Sequence, residues 1–163
     1  MKVDIGISGE NRQGSVGILN VILSDEFMLY TKTRNYHWNI VVSQFSELHK
    51  FLEGQYEQLE VIMDDVAERA RIVGGHALGT LGEFLRFTRL KEHPGQYPVA
   101  REMISNLLHD HETIIRSLRN DQKTCSDKYS DVGTSDFLTG LLQQHEKMAW
   151  MLRSSLEGEA VQK

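Results

Sequence analysis

Residues 43–75 read SQFSELHKFLEGQYEQLEVIMDDVAERARIVGG, and their spacing decides the fold. Leu48, Leu52, Tyr56, Leu59, Met63, Val66, Ala70 and Val73 recur every three or four positions, which keeps one face of an α-helix apolar for about seven turns. Gly74-Gly75 supplies the stop. The chain's only two prolines, Pro94 and Pro98, stand four apart and leave every other long segment free of helix breakers. A first helix is therefore expected from behind Ser15 to about Trp38, carried by Val16, Leu19, Leu23, Phe27 and Tyr30. Thr80 and Glu83 have capping-box spacing and open a short helix. A third long helix follows Pro98 on Ile104, Leu107, Leu108, Ile114, Ile115 and Leu118, and the polar run Asp121–Gly133 reads as the loop that ends it. The fourth begins near Ser135, is lined by Phe137, Leu138, Leu141, Leu142, Met148, Ala149, Leu152 and Leu156, and frays at Gly158. The expected architecture is an all-α four-helix bundle with a short extra helix between helices two and three. Residues 15–157 form the bundle, 1–14 a flexible N-terminal segment and 158–163 a short C-terminal tail.

Composition removes several classes of function. With 163 residues, 40% hydrophobic, 25% charged and a formal charge of −5, the chain reads as one globular domain rather than a collagen, a disordered tail or a disulfide scaffold. Cys125 is alone and cannot form an intrachain disulfide. No apolar run is long enough to span a membrane, and MKVDIGISGENRQG lacks the basic-then-apolar order of a secretory signal. A cytoplasmic protein without membrane partners is expected.

Function is carried by polar residues beside the stripes. On the second helix His49, Glu53, Asp64 and Glu68 fall within an arc of roughly 100°, so they project from one side. Glu53 and Asp64, however, are eleven residues apart, about 16 Å along the axis, which no single coordination sphere can span. A second copy of the helix, packed antiparallel about a two-fold axis near Gln58 and Leu59, would lay the His49 end of one chain against the Glu68 end of the other and make two sites about 22 Å apart. In a hairpin turning near Val41 and Val42, His37 comes to the height of His49 and joins that half-site. Two imidazoles with three carboxylates suit Fe²⁺, Mn²⁺ or Zn²⁺, with iron preferred because fixed negative charge favours Fe³⁺. The competing explanation is that these acids form salt bridges with Arg69, Arg71 or Arg34.

The run NYHWN at 35–39, FSELHKF at 45–51 and DDVAER at 64–69 resembles the Dps family of mini-ferritins, and further agreement at Gly79-Thr80 and HEKMAW (145–150) extends the likeness over about residues 15–156. The resemblance implies a ferritin-like subunit assembled as a hollow dodecamer. It implies ferroxidase centres at two-fold interfaces, with His37, His49 and Glu53 from one subunit and Asp64 and Glu68 from another. Glu53 stands where many members have Asp. The implied reaction is oxidation of Fe²⁺ with hydrogen peroxide, or with dioxygen, followed by iron storage and protection against oxidative stress. Zinc is a possible competitor for the ligands. Trp38 resembles the family's tryptophan near the centre, an oxidisable ring that could supply or accept an electron; as an interfacial aromatic it would simply bury area.

His111 and His145 lie on apolar stripes and are read as hydrogen-bonded core residues, since the chain has no Glu-x-x-His for an intrabundle di-iron site. His76, His93 and His109 are read as surface residues. Asp127, Asp131 and Asp136 are candidates for an iron entry path, with capping as the plainer explanation. DNA binding is expected to be weak or absent. The first twelve residues hold Lys2 and Arg12 against Asp4 and Glu10, and the end from Arg153 holds Arg153 and Lys163 against Glu157 and Glu159, so neither terminus is a basic arm. Twelve copies at −5 each would carry −60 formally, which repels phosphate. The alternative to a ferroxidase is a cage acting mainly by binding DNA or another divalent metal such as zinc.

Overall fold

The computed structural model describes residues 3–160, with side chains to Glu157. Five helices make up the chain in order: α1 (Gly9–Asn39), α2 (Phe45–Ile72), α3 (Leu81–Phe87), α4 (Ala100–Asp127) and α5 (Val132–Ala160). The pairs α1/α2 and α4/α5 are antiparallel hairpins, joined by the long crossover that contains α3, which packs on α1. This is the four-helix bundle with one short extra helix that the periodicity predicts.

The α2 stripe is the seam of the bundle. Leu52, Leu59, Ile62, Val66, Ala70 and Val73 are fully or almost fully buried, and burying each large side chain is worth ~1.5–3 kcal/mol. Glu47 in the first turn and Arg69 and Arg71 in the last complement the helix dipole. Gly74 ends the helix at φ +89°, and Gly75 lies so close to Val16 that an added Cβ would stand 2.4 Å from its methyls. In α3 both halves of the capping box form: the Glu83 amide donates to the Thr80 hydroxyl and the Thr80 amide to the Glu83 carboxylate.

Three boundaries differ from the sequence reading. Ser8 caps α1 by accepting from the Asn11 amide, and Arg12 is buried with its guanidinium on the carbonyls of Ile7 and Val73. Residues 9–14 are thus the first turns of α1 and not part of a free segment. The polar stretch 121–127 is helical too, because its one buried apolar side chain, Cys125, suffices to seat an otherwise solvated turn. Burial raises the Cys125 thiol to about 11. At the far end α5 continues through Gly158 to Ala160, while 161–163 lie outside the described residues.

Asp131 is a correction to the candidate entry path. It is buried at the start of α5, where one carboxylate oxygen accepts from the Thr134 amide at 2.9 Å and the other from the Thr134 hydroxyl at 2.7 Å. Arg69 adds an ion pair at 3.4 Å. A capping carboxylate sealed under its own helix cannot line a channel. Asp127 and Asp136 are exposed on either side of it.

His111 and His145 are core residues, as the sequence suggests, and they share a third partner that it did not reveal. The two Nδ1 atoms are 3.0 Å apart, and His145 Nε2 lies 2.8 Å from Glu26 on α1. All three side chains are buried. Burial, and then the neighbouring His145, push His111 well below the ordinary histidine range.

Burial alone would raise the Asp131 carboxyl; the hydroxyl and amide of Thr134, together with Arg69, outweigh it and hold the group below the ordinary value. A carboxylate lowered in the folded state contributes stability above its unfolded pKa of about 3.9 and loses it as pH falls through the lower folded value. Asp131→Ala is expected to cost about 1–2 kcal/mol at pH 7 in urea titrations, with the wild-type and variant curves converging below about pH 4.

Candidate metal centre

The turn at 40–44 sets the centre's first half. It brings the end of α1 back onto the start of α2, and Ile40, buried in the core, fixes how closely the two helices meet. His37 Nδ1 lies 2.9 Å from the His49 carbonyl, and His49 Nδ1 lies 3.0 Å from the His37 carbonyl. A carbonyl oxygen can only accept, so each Nδ1 carries the proton and each Nε2 keeps its lone pair in the neutral ring. The two rings stack at 3.7 Å between centroids, with Phe45 against the outer face of His49 at 4.9 Å and the Tyr56 ring edge-on to His37 at 5.1 Å. Orientation and tautomer are both set, as a metal-ligating imidazole requires.

Glu53 stands one α2 turn beyond His49 and is half-buried. Its negative charge acts on Tyr56. Desolvation first, and then Glu53, raise the Tyr56 phenol above its ordinary value, against the opposing effect of Arg34. Asp64 and Glu68, further along α2, are exposed and have no ion-pair partner among the described residues. The arginines that could neutralise them are engaged elsewhere. Arg69 bonds Thr134 and Asp131, Arg71 bonds the Gly75 carbonyl and His76, and Arg34 donates to the Tyr30 hydroxyl at 2.5 Å with its guanidinium over the Tyr30, Trp38 and Tyr56 rings. Local salt bridging therefore does not account for these acids.

One chain brings His37 and His49 together, with Glu53 one turn beyond on α2, and leaves Asp64 and Glu68 further along that helix. Among the described residues no three His, Cys, Asp or Glu side chains approach closely enough to hold an ion. Asp64 borders a shallow apolar groove that includes Leu23, Phe27, Met63, Ala67 and the largely exposed Val61. Trp38 is 64% exposed and its ring meets Arg34 at 5.3 Å, while no ring contact joins it to either histidine among the described residues. Sequence reasoning placed Tyr56 in the core stripe and overlooked it as a site residue, although its positions three after Glu53 and seven after His49 put all three on one helical face.

A family model for the ferritin-like domain matches residues 16–159. "DNA protection during starvation protein 2" of Bacillus anthracis is 31% identical over 86% of this chain and 95% of its own length. The chain belongs to the Dps family. A low temperature-induced protein of Nostoc sp. is 45% identical over 99% of the chain and 90% of its own length. Among solved structures, DpsC from Streptomyces coelicolor superposes with a TM-score of 0.92 at 27% identity, covering 96% of this chain and 91% of that one. A Dps protein from Vibrio cholerae, described as a member of a broad superfamily of ferritin-like diiron-carboxylate proteins, gives 0.87 at 27% identity over 96% and 98%. Dps membership brings iron binding, iron storage and oxidative protection in general terms, with a homo-oligomeric cage as the family's usual assembly.

Because the two rings stack at 3.7 Å, removing one takes away a candidate ligand and uncovers a face of the other, whose hydrogen bond to the backbone carbonyl remains. His37→Ala and His49→Ala are each expected to weaken anaerobic Fe²⁺ or Co²⁺ binding by about 10–100-fold, with the double variant well short of the summed loss, as measured by calorimetry.

Proposed function

We propose that this Dps-family protein is a peroxide-consuming ferroxidase and iron store whose centres form across two-fold interfaces, with His37, His49 and Glu53 from one subunit and Asp64 and Glu68 from its partner. The observation that carries the reading is the reciprocal histidine lock: two stacked imidazoles, each with Nδ1 on the other residue's carbonyl and Nε2 left as the free nitrogen, with a half-buried carboxylate one turn on and two further carboxylates on the same helix left without counterions. Such a set of nitrogen and oxygen donors fits Fe²⁺ and also admits zinc. The two-fold pairing is supported by the apolar groove beside Asp64 and the exposed Val61, which offer area to bury on the same side of α2 as the unpaired acids. A dodecamer is the proposed assembly and the cytoplasm the proposed location. Among the described residues no helix is long and apolar enough to cross a membrane.

Iron is the substrate here. Two Fe²⁺ held together give one electron each to one peroxide, which takes up two protons and leaves as two waters, so no one-electron oxygen species is released. The chain's contribution is to fix the tautomer of its neutral imidazoles with the proton on Nδ1, and to supply carboxylates whose charge stabilises Fe³⁺ over Fe²⁺. DNA is a poor partner for the same surface. Arg12, counted among the few basic residues near the amino terminus, is buried in the bundle and unavailable to phosphate.

Stopped-flow mixing of anaerobic Fe²⁺-loaded protein with peroxide tests the reaction. Ferric absorbance should rise far faster than in buffer and consume about one peroxide per two irons, and His37→Ala/His49→Ala should abolish the acceleration; a rate no greater than buffer defeats the reading. Sedimentation should show an assembly, and a strictly monomeric protein removes the shared centre. In a gel-shift assay at about 150 mM salt, duplex DNA should remain unshifted.

A further inference from the structure

Tyr56 lies against the half-site and has no role in ligation. Its ring meets His37 edge-on, with centroids 5.1 Å apart and planes at 77°. On its other side Tyr30 stands at 6.1 Å, also edge-on, and the Arg34 guanidinium lies 4.7 Å from the Tyr56 centroid. Trp38 is the aromatic residue that the sequence draws attention to, yet its contact is with Arg34 at 5.3 Å and most of its surface faces outward. Charge separates the two rings further. Removing an electron from an indole first makes a cation, which a guanidinium at that distance opposes; a phenol gives up its proton with the electron and leaves a neutral radical, which does not.

Resting on the ferroxidase reading above, we propose that Tyr56 is the centre's own one-electron donor, completing the reduction of peroxide when a centre holds a single Fe²⁺. In net form, one Fe²⁺ gives one electron, Tyr56 gives one electron and its phenolic proton, one further proton comes from solvent, and the peroxide O–O bond breaks to yield two waters, Fe³⁺ and a neutral Tyr56 phenoxyl radical. The step replaces a diffusible hydroxyl radical with one held in the protein. Its contact with the His37 ring gives the electron a short path, and Tyr30 extends the aromatic contacts away from the iron.

The test is freeze-quench electron paramagnetic resonance of whole assembled protein loaded anaerobically with one Fe²⁺ per centre and given one equivalent of peroxide, with ferric absorbance read from the same samples. Wild type should show an organic radical whose lines narrow when the protein is made with ring-deuterated tyrosine. Tyr56→Phe keeps the ring packing and should lower that signal by about tenfold while spin-trapped hydroxyl radical rises, whereas Trp38→Phe should leave the signal within about twofold of wild type. If ferric iron forms but no radical appears, if tyrosine deuteration leaves the lines unchanged, or if Tyr56→Phe retains the signal, the assignment is overturned while the ferroxidase reading stands. Absence of accelerated ferric formation defeats that reading, and the role of Tyr56 with it.

Discussion

The exchange of hydrogen bonds between His37 and His49 is the interaction on which the rest of the molecule's chemistry depends. Each ring donates from Nδ1 to the other residue's carbonyl, so this pair of bonds joins two helices, selects one tautomer twice and leaves Nε2 as the free nitrogen of each ring. It works only if α1 and α2 meet in one register, because sliding either helix by one residue rotates its side chains by about 100°. The core supplies that register through Leu19, Ile22 and Leu29 on α1 and Leu52, Leu59 and Ile62 on α2. Packing and ligation are therefore linked: the apolar seam that stabilises the bundle is also what orients the imidazoles beside it.

Elsewhere the protein pairs its buried charges. Lys32 meets Asp110 at 2.6 Å, Arg89 meets Asp25 at 2.6 Å and Asp121 at 3.0 Å, and Arg69 meets Asp131. Leaving a buried member of such a pair without its partner is strongly destabilising, by about 3–5 kcal/mol. Asp64 and Glu68 can stay unpaired because both are exposed to water. Arg34, Arg69 and Arg71 lie close in sequence to the site residues, yet each is turned to another partner. The negative charge of Asp64 and Glu68 is thus left uncompensated by these arginines.

The fold was legible because most of its determinants are local. The period of residues 48–73, two clustered prolines and the Thr80/Glu83 spacing each specify structure within a few turns, and the helices they predict are present. The early start of α1 was hidden because Arg12 is anchored by the Val73 carbonyl, sixty-one residues away, a contact with no periodic signature. The turn between α4 and α5 was overestimated for a related reason: a helix needing only Cys125 inside presents polar residues over most of its surface, as a loop does. Of the site, the two histidines could be brought together from hairpin height alone. Glu26 could not be found, because beside Ser24 and Asp25 it reads as one more polar position of α1 and gains its meaning only from His145, one hundred and nineteen residues later. Tyr56 was visible but ambiguous, since an aromatic on an apolar stripe serves the core and the site equally well.

The proposed division of a centre between two subunits is favoured by the same electrostatics. Five ligands including three carboxylates, gathered on one chain, would repel one another before any metal arrived, at a cost that grows as water is excluded. In the proposed pairing the repulsion is deferred: Asp64 and Glu68 stay in water until another subunit's histidines approach, and the burial of the apolar groove beside them offsets what desolvation costs. The remaining mutual repulsion of carboxylates is relieved when Fe²⁺ enters. Any ligand that binds the assembled form in preference to the separated one also stabilises assembly, by mass action, so iron loading and cage formation should reinforce each other. An apo-interface strained by its own charge is then also the one with the strongest affinity for a cation.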